Sequence, residues 1–421
     1  MRRLIASTTM LALAAAGGIA SAPVAGAAAS GSAGKVPTSF AFKASGYGTS
    51  VKGGQVTAGS EGTAFQAFGC SNLAGIDKDN FVTEAELPGA GVAQGVDTHL
   101  WTDKSKRGVV STYATSTVAH VNIAQSGLGS LDLSAVKSVA RTWHSASGFH
   151  SRTTTTIGGI AFTPPTGDPQ SIPIPSPGQS VTVPGLATIS LGVGSTQENA
   201  DSAKAITDGV RIDVIPTATT VRVAHARAIL ESGIVSGLMH GHASGARADA
   251  LTDYVHVGQT PLSLMPCRGT DGKERSKSIA SVNLGNNAVI SGLTTGELGK
   301  QSGDRAHGYE FSKIASVTLG SKDLVLTGII GRANVQLDGG KVVSTTKGST
   351  PGTVEFQGQV QQFPAGGAPL EIPGVAKLEP NLVKRTSNGI SVTALRVTLL
   401  DGSGLVLNLG EAALGIKPVK G

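Results

Sequence analysis

The sequence predicts an all-β protein built from two tandem, homologous, antiparallel sandwich-like units, and three observations carry that reading. The first is a duplication. Gly178-Gln-Ser-Val-Thr-Val-Pro-Gly-Leu-Ala-Thr-Ile-Ser-Leu191 returns without a gap as Gly367-Ala-Pro-Leu-Glu-Ile-Pro-Gly-Val-Ala-Lys-Leu-Glu-Pro380, an offset of 189 (367 minus 178). Each copy reads as an apolar-alternating strand, a Pro-Gly bend and a second strand. Pro presets φ and Gly supplies the positive φ of a type II turn, so the shared pair predicts a fixed corner. The second observation is composition: 58 Gly, 4% aromatic and 15% charged residues leave Val, Ile, Leu and Ala to build the core, which suits many short strands. The third is a finer repeat in the second unit. Ile279-Ala-Ser-Val-Asn-Leu-Gly285 recurs as Ile314-Ala-Ser-Val-Thr-Leu-Gly320 with six of seven positions identical at an offset of 35 (314 minus 279). Period-2 alternation bounded by Gly argues for strands. The 35-residue spacing also makes a β-solenoid the alternative architecture.

In chain order, Met1-Arg-Arg3, an apolar run through Ala20 and the small residues Ala25-Gly-Ala27 form the three regions of a signal peptide, assigned to residues 1–27. Residues 28–38, rich in Ala, Gly and Ser, read as a flexible leader, followed by β unit 1 (39–230) and β unit 2 (231–421). No apolar run after residue 30 is long enough to span a membrane as a helix. The final Gly415-Ile-Lys-Pro-Val-Lys-Gly421 carries no sorting motif, so the expectation is a secreted protein. Without residues 1–27, which hold two of the 34 basic residues and no acids, 32 basic side chains face 28 acidic ones, a weak field for so long a chain. Lys104-Ser-Lys-Arg107 and Lys273-Glu-Arg-Ser-Lys277 are short and lack interleaved aromatics, which fits solvated loops better than a nucleic-acid site.

Within unit 1, Val82-Thr-Glu-Ala-Glu-Leu87 and Val118-Ala-His-Val-Asn-Ile123 lie 36 apart (118 minus 82), a blurred form of the finer repeat. Each unit ends in a predicted hairpin. Ile390–Leu400 turns at Asp401-Gly-Ser-Gly404 into Leu405–Leu409, and Val210–Ile215 turns at Pro216-Thr-Ala-Thr219 into Val221–Ala226. Residues 192–208 precede the latter as a long polar loop against a short connection at 381–388; it is the loop to watch for function, with a tolerated surface insertion the plainer reading.

Together, Cys267-Arg-Gly-Thr-Asp-Gly272, Ile279-Ala-Ser-Val-Asn-Leu-Gly285, the Val/Ile-Pro-Gly corner and Val223-Ala-His-Ala-Arg-Ala228 resemble the choice-of-anchor P family, exported proteins of actinomycete-type bacteria, in two copies. The resemblance implies export and a role at the cell surface. It brings no biochemical activity, and the missing anchor motif leaves release into the medium or non-covalent retention.

Cys70 and Cys267 occupy corresponding places in the repeats, 197 apart (267 minus 70). An even Cys count in an exported chain allows a disulfide. Simple translation of the units would keep the two apart, whereas a pseudo-two-fold would bring them within bonding range; two separately buried thiols are the alternative. His240-Gly-His242 can place two imidazoles on one face of a strand, the minimum for a metal, but no third ligand follows at an interpretable spacing. Trp143-His144-Ser145 sets a base beside a hydroxyl, again without a third partner. Asp77-Lys-Asp79 begins like a calcium loop, yet Phe81 stands where an oxygen should and the central Gly is missing. Phosphate-loop, dinucleotide, nucleophile-elbow and zincin motifs do not occur. No catalytic residue and no cofactor are assigned. The expected function is an exported, non-catalytic structural or adhesion-type protein whose partner is a cell-wall polymer or another surface protein. The alternatives are a secreted hydrolase of polysaccharide or ester bonds, and a carbohydrate-binding protein. The last has little to work with, since the chain holds two Trp and four Tyr.

Overall fold

The computed structural model describes residues 34–53, 60, 62–125, 127–249, 256–284, 288–320, 323–402 and 404–419. The signal-peptide assignment lies outside them. Lys35–Gly421 forms one compact unit, and strand begins at Val36, so residues 36–38 are not a leader.

The described residues before Gly237 form thirteen strands: β1 (Val36–Gly53), β2 (Gln66–Ala74), β3 (Asp77–Leu87), β4 (Gly91–Lys104), β5 (Val110–Gln125), β6 (Gly129–Ser145), β7 (Gly148–Thr156), β8 (Gly159–Thr163), β9 (Gln170–Ser171), β10 (Ser180–Val183), β11 (Ala187–Glu198), β12 (Ser202–Val214) and β13 (Thr219–Glu231). Thirteen more follow: β14 (Gly237–Asp249), β15 (His256–Leu264), β16 (Arg275–Asn283), β17 (Ala288–Ser302), β18 (Arg305–Leu319), β19 (Leu324–Asp338), β20 (Lys341–Thr345), β21 (Thr353–Phe356), β22 (Gln359–Gln361), β23 (Leu370–Ile372), β24 (Ala376–Thr386), β25 (Gly389–Leu399) and β26 (Val406–Pro418). The second set repeats the first strand for strand. Sheet order β10-β11-β12-β13-β1-β2 is matched by β23-β24-β25-β26-β14-β15, and β3-β4-β5-β6-β8-β9 with β7 on β6 by β16-β17-β18-β19-β21-β22 with β20 on β19. Among the described residues no sheet takes strands from both halves.

In each half the two sheets pack face to face. Val96, Val118 and Val136 of one sheet meet Val210, Ile212 and Val221 of the other, and Ile290, Ile314 and Ile329 meet Leu395, Val397 and Leu407 in the second half. Alternating side chains fill the space between the sheets, which is the sandwich arrangement.

The finer repeat is explained by this meander. Ile279 and Ile314 both lie opposite Leu293, and Val282 and Val317 both lie opposite Ile290, so the two copies are the strands on either side of β17. Likewise Val82 and Val118 both face Val96. A spacing of two strands and two turns within one sheet replaces the solenoid alternative. The Pro-Gly corners form as expected: Leu186 N donates to Val183 O at 3.1 Å and Val375 N to Ile372 O at 3.0 Å, with φ of 73° at Gly185 and 71° at Gly374. A second matched pair, Gly95 (φ 59°) and Gly292 (φ 63°), lies in the middle strand of each meander, with the register unbroken on either side. A Cβ there would come within 2.7 Å of the Ala119 Cβ and 2.6 Å of the Ala315 Cβ.

Residues 192–208 are not a loop. β11 and β12 run on as a paired ribbon to Glu198 opposite Ala203, and Asn199 N closes the turn on Ser202 O at 2.8 Å. The apparent insertion came from aligning the hairpins by their most apolar residues, whereas the ladder continues through polar ones.

Candidate functional site

Residue pairs at the constant offset of the two Cys meet where the halves adjoin. Cys70 in β2 and Cys267 after β15 form a disulfide with their Cα atoms 5.3 Å apart. Ala41 and Leu238, also 197 apart (238 minus 41), pack around it. The linker between halves is held by Gln301, whose Oε1 accepts from the backbone N of Val235, Ser236 and Gly237 and whose Nε2 donates to Arg268 O.

Beside the disulfide lies a cleft of about 430 Å³. Its floor is the outward face of the β1–β13–β12 sheet. Strand alternation sends Phe42 and Ala44 into the sandwich and Lys43 outward. Lys43 and Lys204 sit on either side of Ile229 in the ladder, and Arg227 lies two residues along β13. Ile229 is only 8% exposed although it faces out of its own sandwich, because the second half covers it. The covering wall is the segment from Leu264 to Arg275, which brings Arg268 and Arg275 to the cleft.

Several contacts cross the junction. Lys43 Nζ donates to Met265 O at 3.3 Å, and Arg268 N donates to Glu231 Oε2 at 3.3 Å. The Arg268 guanidinium is bound by Asp201 at the β11–β12 turn and by Asp271 at 3.1 Å. Five cationic side chains therefore line the cleft (Lys43, Lys204, Arg227, Arg268, Arg275) against two carboxylates, Asp201 and Glu231. Burial, with the Arg227 charge second, lowers the Lys43 pKa to about 8. Burial likewise pushes Lys204 and Arg227 down and Glu231 up. The Arg227 Nε is buried without a hydrogen-bond partner.

Behind the wall, Glu297 and Glu310 lie opposite each other on β17 and β18, 7% and 0% exposed. Burial raises both carboxyls, and for Glu310 the neighbouring Glu297 adds to it. Ser263 Oγ donates to Glu310 Oε2 at 3.3 Å.

His240 and His242 share one face of β14, and burial, with the Lys43 charge a lesser cause, lowers the pKa of both rings. Asp77 and Asp79 do not lie in a loop: both belong to strand β3, opposite Trp101 and His99, and Asp77 Oδ1 is taken by His99 Nε2 at 2.6 Å. Strand period 2 keeps Asp77 and Asp79 on one face, but they lie on an extended, paired strand and not in the turning loop that wraps a calcium ion. No group of three His, Cys, Asp or Glu placed to hold a metal occurs among the described residues.

Two arrangements were invisible in the sequence. Both Trp stand in one cross-strand stack: His99 on Trp101 at 4.6 Å, Trp101 on Tyr113 at 4.6 Å and 6° between planes, Arg141 between Tyr113 and Trp143, and Trp143 on His150 at 5.1 Å. The ring faces are consumed by one another, so this is no open sugar platform. At its end Ser147 Oγ lies 2.8 Å from His150 Nε2, while Glu198 Oε2 is 3.9 Å from His150 Nδ1. His144 and Ser145 of the predicted base–hydroxyl pair are not joined to each other. His144 packs on Phe40 and Phe149, and Ser145 bonds Ser147.

The cleft residues were missed because single charges at outward strand positions are the commonest of sequence features. Arg227 does sit inside the Val223-Ala-His-Ala-Arg-Ala228 motif, the only signal that could have found it. The sequence matches no protein-family model and no curated protein.

Proposed function

We propose that the protein is an exported, non-catalytic component of the bacterial cell surface or extracellular matrix, of structural or adhesion type, retained by a wall polymer or by other surface proteins. The observation that carries this reading is the disulfide joining the halves, since paired thiols persist in oxidising, extracytoplasmic compartments. The disulfide joins two matched sandwiches, and no helix among the described residues is long and apolar enough to cross a membrane. The test is co-sedimentation of the protein with isolated cell walls across a range of salt. Saturable binding that survives high salt supports retention; protein left wholly in the supernatant overturns it.

The second reading, a secreted hydrolase of ester bonds, is favoured by one observation, the Ser147–His150–Glu198 row. Ser147 is within hydrogen-bond reach of its base, but 3.9 Å is too long for Glu198 to orient the ring, and Glu198 Oε1 is occupied by Ser151 N at 2.6 Å. Turnover of a simple aryl ester that disappears in S147A would establish this reading over the first.

A further inference from the structure

We infer that the cleft beside the Cys70–Cys267 disulfide is a binding site for a compact ligand carrying two or more oxyanion groups, phosphate or carboxylate. The inference rests on which charges in the cleft are already satisfied. Arg268 is engaged by Asp201 and Asp271, and Lys43 by Met265 O, so these two shape the wall. Lys204, Arg227 and Arg275 form no ion pair among the described residues. They come from both halves and meet at one cavity.

Lys204 and Arg227 are half-buried and Arg275 is exposed; a half-buried cation without a counter-charge is costly to the fold, and an anion entering the cleft would supply the missing charge. Nearby acids supply it only in part, Glu231 being the one that favours the charged form of Arg227. Glu231 is occupied by Arg268 N, and burial drives Glu231, Glu297 and Glu310 towards the neutral form. A planar guanidinium with an unused Nε–H, such as Arg227, suits bidentate contact with a carboxylate or phosphate. The volume, about 430 Å³, admits a small oligoanion or the last units of an anionic polysaccharide, while a folded protein partner would not enter. The site stands whether or not the protein is retained at the cell wall.

The experiment is thermal unfolding and titration calorimetry on the full chain at constant ionic strength, with sodium pyrophosphate, citrate and short oligogalacturonates as probes and chloride as the reference. Saturable binding by at least one probe is expected, with a rise in Tm beyond that in chloride. R227Q and K204Q are expected to weaken it at least tenfold, while R385Q, at an exposed cation on the second half, leaves it unchanged. R227Q removes an unpaired charge, so its own Tm without ligand should equal or exceed that of the wild type, which separates lost binding from lost folding. Saturation by pyrophosphate or citrate identifies a free small anion as the ligand source. Saturation by oligogalacturonate alone identifies the end of an anionic polymer. Absence of any effect beyond chloride, or equal affinity in R227Q and the wild type, overturns the proposal. Wall co-sedimentation of R227Q then distinguishes the two ideas, since retention can survive the loss of this site.

Discussion

The two halves share thirteen strands in one order, yet they fill one equivalent layer with opposite chemistry. In the first half Leu100 on β4, Ala114 on β5 and Ala140 on β6 lie side by side, and all are fully buried. At the corresponding places of the second half stand Glu297 on β17, Glu310 on β18 and Ala333 on β19. An apolar layer in one copy is a carboxyl pair in the other. The backbone tolerates both because ladder hydrogen bonds do not depend on the side chains between the sheets. The divergence falls next to the junction, where Lys43 reaches across to Met265, so the duplication kept its architecture everywhere and changed its chemistry where the copies meet.

The sharpest test of equivalence is at Phe42 and Met239, which occupy matching, fully buried positions 197 apart (239 minus 42). Phe42→Ala is expected to destabilise by about 3–5 kcal/mol and Met239→Ala by about 2–5 kcal/mol, measured by urea unfolding. A cost under about 1 kcal/mol at either position would show that the two cores are not equivalent. Breaking the clamp with C70S/C267S should cost about 2–4 kcal/mol. The same variant should split the melt into two transitions if each half holds its own core; a single unchanged transition would mean that the junction, not the disulfide, couples the halves.

G95A and G292A should cost about 1–3 kcal/mol each and by similar amounts, because both force an L-residue to positive φ against a neighbouring Ala. Unequal costs would break the match of the two glycines.

The last comparison concerns pH. A carboxyl whose pKa is raised by folding binds its proton more tightly in the native state, so its contribution to stability is present at acid pH and lost as pH rises above the ordinary Glu range through the raised value. Glu310, Glu297 and Glu231 all carry that sign. Lys43 has the opposite slope at higher pH: its pKa, lowered to about 8, makes the fold gain stability as pH rises from there towards the ordinary Lys value. Transplanting the first-half layer with E297L/E310A should flatten the decline above the ordinary Glu range and leave the fold at neutral pH as stable or more so, by up to about 1–4 kcal/mol. A steeper decline, or loss of folding, would show that the carboxyls hold the second half together.

Legibility in the sequence followed the range of each signal. Alternation, the Pro-Gly corners and the matched places of the two Cys could be read because strand period, turn chemistry and duplication are written in adjacent residues or in a constant offset. The segment 192–208 was misread because polarity suggests a loop, while the ladder there is paid out in backbone hydrogen bonds that no side chain announces. The calcium-like start at Asp77 is ambiguous for a related reason: residue identity gives candidate oxygens, but only the ladder shows that they stand on an extended strand.

By itself, then, the sequence determined the strand class and the duplication, and left the two Cys open between a disulfide and two buried thiols, which the structure decides in favour of the bond. Only the tertiary structure decided that Lys43, Lys204, Arg227, Arg268 and Arg275 share a cavity, that Glu297 and Glu310 are buried together, and that the two Trp stack face to face. The physical reason is that burial and charge pairing depend on which sheet faces another. Docking of the halves turns side chains that look solvated on isolated strands into an enclosed, incompletely neutralised site.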